Sequence, residues 1–145
     1  MVDAADTSNL PLTIGFSVAR DGNVLKLKSK DVEFTPHIVE YILRDVKNVR
    51  CVGVMHSNIN VISEALSVIE NVWDGATIAY PDYGTFDNNI WRSEATEEVM
   101  ENIVQSMLQL KKKHPNLHVV GGCCGLGPLF IKKLKNAFEP YLHRS

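Results

Sequence analysis

The sequence lacks the features of membrane, secreted and nucleic-acid-binding proteins. Its 145 residues hold no apolar run near the roughly 20 residues that a transmembrane helix needs. Residues 1–6 are acidic and no apolar stretch follows a basic start, so we expect no secretory signal. The net charge is −2 and no basic stripe is present, which disfavours nucleic acid and anionic membranes as partners.

Cysteine is also scarce. The chain has three cysteines, Cys51, Cys123 and Cys124, and an odd number without a secretory signal argues against a disulfide framework. We therefore expect a reducing, cytoplasmic environment. A bridge between the adjacent Cys123 and Cys124 would be strained. Free cysteine most often behaves as a small buried apolar residue, and this is our interpretation of Cys51, which lies in the middle of an apolar run.

What the sequence does contain is a regular alternation of apolar runs and helix-period segments. Residues 1–10 predict a flexible leader, and residues 11–145 predict one domain. Apolar runs at residues 12–18, 51–55, 76–80 and 117–120 each precede a segment with apolar residues at three- and four-residue spacing. This order predicts an α/β fold of four βα units with a parallel sheet. A small open doubly wound sheet and half of a closed barrel both fit it.

Helix-start signals support this assignment. Thr35 precedes Pro36, and Thr96 precedes two glutamates, so each threonine predicts a helix N-cap. Pro128 predicts the start of the last helix. In that helix Ile131, Leu134 and Phe138 are expected to face inward.

Polar and sulfur-bearing side chains follow three of the four predicted strands, and the carboxyl ends of parallel strands share one edge of a sheet. The second strand ends at His56, the third is followed by Asp82, Tyr83 and Gly84, and the fourth by Gly121, Gly122, Cys123, Cys124 and Gly125. Two thiolates and one imidazole would leave a fourth position open on zinc, as in catalytic sites. The glycines would allow close backbone approach to a metal or substrate. Burial of both cysteines in a tight turn is the alternative.

The remaining histidines belong to no such group. We expect them to be surface or packing residues; they are His37, His114, His118 and His143.

The Gly-Gly-Cys-Cys segment and the proline-started helix that follows it resemble the closing motif of the homocysteine S-methyltransferase family. Three further segments agree in order and spacing. Residues 12–18 are similar to the family's fifth strand, and residues 52–56 are similar to its sixth strand. Residues 80–84 are similar to its Tyr-Pro-Asn-Ser-Gly segment, and Phe86, Asp87 and Trp91 follow them. The resemblance covers about residues 11–138. It implies the C-terminal half of a (β/α)8 TIM-type barrel.

The same resemblance implies a zinc site in which Cys123 and Cys124 are ligands. Homocysteine would bind there through its sulfur and take a methyl group from a sulfonium, ammonium or folate donor. His56 stands where the family has a third cysteine and is the implied third ligand. Asp82, Tyr83, Gly84 and Gly122 are implied at the substrate end, with Asp82 and Tyr83 in place of the Asn-Ser of the family's Asn-Ser-Gly.

A half-barrel also has consequences for partners. Four strands of an eight-stranded barrel leave two open edges and an apolar inner face, and covering apolar surface contributes about 25 cal/mol per Å². We therefore expect a homodimer or association with an N-terminal half-barrel. Two other functions stay open, a metal- or thiol-binding subunit without turnover and a small doubly wound domain with structural cysteines.

Overall fold

The computed structural model describes residues 10–87, 90–92 and 95–142. The predicted leader lies outside this part of the chain except for Leu10. The side chains of Phe86, Asp87 and Trp91, and the whole of His143, also lie outside it.

Strands and helices alternate along the described chain. The strands are β1 (Leu12–Phe16), β2 (Val18–Asp21), β3 (Val24–Leu27), β4 (Val49–Asn58), β5 (Ala76–Asp82), β6 (Thr85–Asp87), β7 (Ile90–Arg92) and β8 (Leu117–Val120). The helices are α1 (Pro36–Leu43), α2 (Ile59–Glu70), α3 (Glu97–Lys113) and α4 (Pro128–Leu142). Thr35 and Thr96 cap α1 and α3 as predicted, because each side chain accepts a hydrogen bond from a backbone N–H of the first turn.

The central sheet has the strand order β1-β4-β5-β8, and every neighbouring pair is parallel. The predicted α/β class and parallel sheet are therefore confirmed. The spatial order follows the chain order without the reversal that marks a doubly wound sheet. This arrangement is consistent with part of a TIM-type barrel.

Two antiparallel hairpins lie outside the central sheet, one after β1 and one after β5. The first predicted strand is divided, because β1 ends at Phe16 and β2 begins at Val18 and pairs with β3. The turn between β2 and β3 contains Gly22 at a φ of 56°, a left-handed conformation that glycine adopts without steric cost. The second hairpin, β6 with β7, lies within the predicted loop after β5.

The core lies between the sheet and the helices. Helix α2 buries Ile62, Leu66 and Ile69 completely, and each such side chain contributes about 1.5–3 kcal/mol of transfer free energy. The prediction that Cys51 belongs to the core is confirmed, since it is 6% exposed on β4. No helix of the described chain is long and apolar enough to span a membrane.

The prediction for Ile131 is wrong. Its side chain is 44% exposed, whereas Phe130, Leu134 and Phe138 are buried. These three residues recur every four positions and form one stripe along α4. Ile131 lies about 100° around the helix from Phe130 and so is turned toward solvent.

Candidate metal centre

The ladder between β4 and β5 is interrupted at His56. Met55 pairs with Tyr80 and Ser57 with Pro81, so His56 is an extra residue on β4. Its φ is 50°, in the left-handed region that costs a residue with a Cβ about 1–2 kcal/mol. Bulges of this kind re-aim side chains and are common near active sites. Here the bulge brings the imidazole to the carboxyl end of the sheet.

The segment that carries the β2–β3 hairpin holds His56 in this conformation. Ser17 Oγ donates a hydrogen bond to the His56 carbonyl oxygen at 3.0 Å, and Lys28 Nζ donates to the same oxygen at 2.5 Å. The next residue, Ser57, is buried, and its hydroxyl oxygen accepts from the Val18 N–H at 2.9 Å. The left-handed backbone of His56 is therefore supported by hydrogen bonds at its carbonyl oxygen and at the following residue.

The two cysteines follow β8 on a loop that continues to pair with β5. The Gly121 N–H donates to the Ala79 carbonyl at 3.2 Å and the Cys123 N–H to the Pro81 carbonyl at 2.8 Å. The Tyr83 N–H in turn donates to the Cys124 carbonyl at 2.7 Å. Because β4 is the other neighbour of β5, this pairing brings the thiols beside His56.

Glycines in this loop allow close packing within the protein. A Cβ at Gly122 would lie 2.7 Å from Leu126 Cβ and 2.9 Å from Phe130 Cδ1, so a larger residue does not fit. Gly125 has a φ of 77° and turns the chain toward α4. The structure thus gives Gly122 a packing contact, and its role toward substrate stays a prediction.

The three candidate ligand atoms lie at separations that suit one metal ion. Cys123 Sγ and Cys124 Sγ are 3.8 Å apart, and His56 Nδ1 lies 3.7 Å from the first and 3.4 Å from the second. Tetrahedral zinc with bonds of about 2.3 Å to sulfur and 2.0–2.1 Å to nitrogen requires separations of about 3.8 Å between sulfurs and 3.5–3.6 Å between sulfur and nitrogen. The residues present fit zinc.

Asp82 and Lys28 flank these atoms. Asp82 is 8% exposed, and its Oδ2 lies 3.5 Å from His56 Nδ1 and 3.1 Å from Lys28 Nζ. Burial raises the pKa of the Cys124 thiol, and the neighbouring Cys123 and Asp82 raise it further. The raised pKa favours the neutral thiol of Cys124, so we expect binding of a metal cation there to displace a proton.

The other predicted residues fall around this group. Tyr83 is 39% exposed and Gly84 is half-buried, both directly after β5. His37 and His118 are exposed, as expected of surface residues, and His114 is buried. Sequence reasoning missed Ser17 and Lys28, since they carry no motif and only the fold of the hairpin brings them to His56.

Comparison with known proteins gives one family. The family model described as Homocysteine S-methyltransferase matches residues 1–138. That span includes His56, Cys123 and Cys124 and most of the chain. No curated protein and no solved structure matches.

Proposed function

Because the chain belongs to the homocysteine S-methyltransferase family, we propose that it transfers a methyl group to the thiol of homocysteine, giving methionine, at a zinc ion held by His56, Cys123 and Cys124. One observation carries the zinc assignment. The nitrogen and the two sulfurs, which come from two separate strand ends, are 3.4–3.8 Å apart, the spacing of ligands on one tetrahedral ion.

Three protein ligands suit a catalytic zinc site, which keeps one position for substrate. Zinc held there would lower the pKa of the substrate thiol and keep it ionised near neutral pH. His56 in place of a third thiolate makes the ligand set less negative. The substrate thiol would then lose its proton more easily but react more slowly as a nucleophile.

The charged groups beside the ligands suit the amino-acid end of homocysteine. The Lys28 ammonium would attract the substrate carboxylate, and the Asp82 carboxylate would attract the substrate ammonium. Tyr83 and Gly84, which continue the chain from Asp82, and Gly122, which precedes the cysteine pair, would contact the substrate beside these charges. The methyl group would leave a sulfonium, ammonium or folate donor and bond to the homocysteine sulfur.

We also infer that a second copy of the chain covers the open part of the sheet. Within the described sheet β1 and β8 each have one neighbouring strand, and unpaired edges favour association. Met55 and Val119, which lie on β4 and β8, are 36% and 38% exposed. Sedimentation velocity over a hundredfold concentration range tests this, and a monomer at every concentration would contradict it.

Metal analysis tests the proposed centre. The purified chain is expected to hold about one zinc per chain, the Cys123→Ser/Cys124→Ser variant is expected to hold almost none, and Cys51→Ala serves as the control because Cys51 is buried in the core. Equal zinc in all three proteins would refute the assignment. Methyl transfer to homocysteine is then measured with donors of each class. Zinc binding without turnover would favour a metal- or thiol-binding subunit instead.

A further inference from the structure

A second group of reactive side chains lies between α2 and α3. Ser63 Oγ is 3.1 Å from His114 Nε2, and His114 Nδ1 is 2.8 Å from Glu70 Oε2. His114 is 1% exposed, while Ser63 is half-buried. Both distances fall within the range of about 2.6–3.2 Å that links a nucleophile to its base and the base to its orienting group.

The hydrogen bonds define which nitrogen of His114 can act as a base. The Glu70 carboxylate accepts the Nδ1–H, so in the neutral ring Nε2 carries the lone pair and accepts the Ser63 hydroxyl proton. The other Glu70 oxygen, Oε1, is buried and no donor from the described residues bonds to it. The contact between Glu70 and the imidazole thus has the geometry of the carboxylate–histidine pair in a serine hydrolase.

A cation and a cavity complete the arrangement. Lys113 Nζ donates a hydrogen bond to Ser63 Oγ at 2.8 Å. A cavity of about 200 Å³ opens beside these groups, and its lining includes Ser63 and Lys113 together with Asn60, Gln109 and Leu110. This volume is below the range of about 300–1,000 Å³ found for drug-sized ligands, so it suits a short acyl group.

A neighbouring serine on α2 has a different environment. Ser67 Oγ donates to the Ser63 carbonyl at 3.1 Å, the usual bond of a serine within a helix. Ser63 Oγ instead donates toward His114 and accepts from Lys113, which leaves one oxygen lone pair for attack on an electrophile.

We propose that Ser63 is a nucleophile that takes the acyl group of a short-chain ester. Ser63 Oγ bonds to the ester carbonyl carbon while His114 Nε2 takes the hydroxyl proton, and Lys113 stabilises the charge on the carbonyl oxygen. The ester C–O bond then breaks, and the alcohol leaves with the proton from His114. Water then attacks the acyl carbonyl carbon while His114 Nε2 takes a proton from the water. The bond from that carbon to Ser63 Oγ breaks, His114 returns the proton to Oγ, and the carboxylic acid leaves.

Acetylation by p-nitrophenyl acetate tests this proposal. The purified chain is expected to release a burst of about one p-nitrophenolate per chain and to carry an acetyl group on Ser63, located by peptide mass spectrometry. Mapping separates this adduct from acetylation of cysteine or lysine. Ser63→Ala is expected to abolish the burst, and Ser67→Ala is expected to retain it.

Glu70→Gln tests the base without removing a buried ring. It is expected to slow acetylation of Ser63 by about 100-fold or more, because the glutamine amide favours the wrong imidazole tautomer. Circular dichroism checks that each variant is folded. A folded wild-type chain without acetyl on Ser63, or an unchanged acetylation rate in Glu70→Gln, would overturn the proposal. The three side chains would then have only a structural role in the packing of α2 against α3.

Discussion

Replacing His56 with glycine separates the strain at the metal centre from its ligand function. The left-handed conformation at His56, with a φ of 50°, costs a residue with a Cβ about 1–2 kcal/mol. Glycine adopts it freely but loses about 0.5–1 kcal/mol more chain entropy on folding. We therefore expect the metal-free His56→Gly chain to be more stable than the metal-free wild type by about 0.5–1 kcal/mol.

Zinc is expected to reverse this order. At free zinc 100 times the dissociation constant, binding adds about 2.7 kcal/mol to the free energy of unfolding of the wild type. If loss of the imidazole weakens binding 100-fold, the same zinc concentration adds only about 0.4 kcal/mol to His56→Gly. The difference in zinc binding would favour the wild type by about 2.3 kcal/mol, and the backbone effect would favour His56→Gly by about 0.5–1 kcal/mol. The wild type would then be the more stable protein by more than about 1 kcal/mol.

Urea unfolding with and without buffered zinc measures all four free energies. Asn48→Gly is the matched control, because Asn48 has a φ of 55°, is exposed, and lies outside the candidate ligand group. Asn48→Gly is expected to change the free energy of unfolding by the same amount with and without zinc. If zinc stabilises His56→Gly as much as the wild type, His56 is not a ligand and the proposed centre is wrong.

Three further predictions concern the thiols and the packing of the sheet. Without metal, a thiol reagent such as DTNB is expected to titrate Cys123 and Cys124 in the native chain, and Cys51 only after unfolding, because burial shields it and raises its pKa. Since the pKa of Cys124 is raised, zinc binding is expected to release at least one proton per ion and to become tighter as the pH rises. Calorimetry in buffers of different ionisation enthalpy measures the number of protons released. Gly53→Ala is expected to destabilise the chain by about 3 kcal/mol or more in urea unfolding, because its Cβ would lie 2.1 Å from the Ile78 carbonyl oxygen.

Each of these predictions has a result that contradicts it. Rapid reaction of all three thiols in the native chain would mean that the strand carrying Cys51 is accessible. Zinc binding without proton release would mean that the thiols are already ionised or do not bind the metal. A Gly53→Ala chain as stable as the wild type would contradict the close approach of β4 and β5. Gly22→Ala is the control, because a Cβ there meets open space and only the left-handed backbone conformation is strained.

The βα order could be predicted from sequence because it depends on local patterns. Apolar runs, helix periodicity and caps such as Thr35 and Thr96 act over a few residues, and the structure has them where the patterns indicate. The cysteine pair could be located because a parallel sheet brings strand ends to one edge. Ile131 was misassigned because two adjacent apolar residues, Phe130 and Ile131, allow two stripes on one helix.

The side chains that complete the centre could not be predicted, because they depend on contacts between distant segments. The bulge at His56 exists only relative to its partner strand β5, so no local pattern indicates it. Lys28 reaches His56 across 28 residues of sequence. In the same way, His114 bonds to Ser63 and Glu70, which lie 51 and 44 residues earlier. Only the packing of α2 against α3 brings these residues together.

The positions of the candidate ligands follow from two separate sets of hydrogen bonds to the backbone. His56 is held by the hairpin segment through its own carbonyl oxygen, and the cysteines are held by bonds to Pro81 on β5 and to Tyr83 directly after it. None of these bonds uses a sulfur or imidazole atom, so binding of a cation by those atoms would leave these bonds intact. If the proposed function holds, we therefore expect zinc binding to require little rearrangement of the backbone.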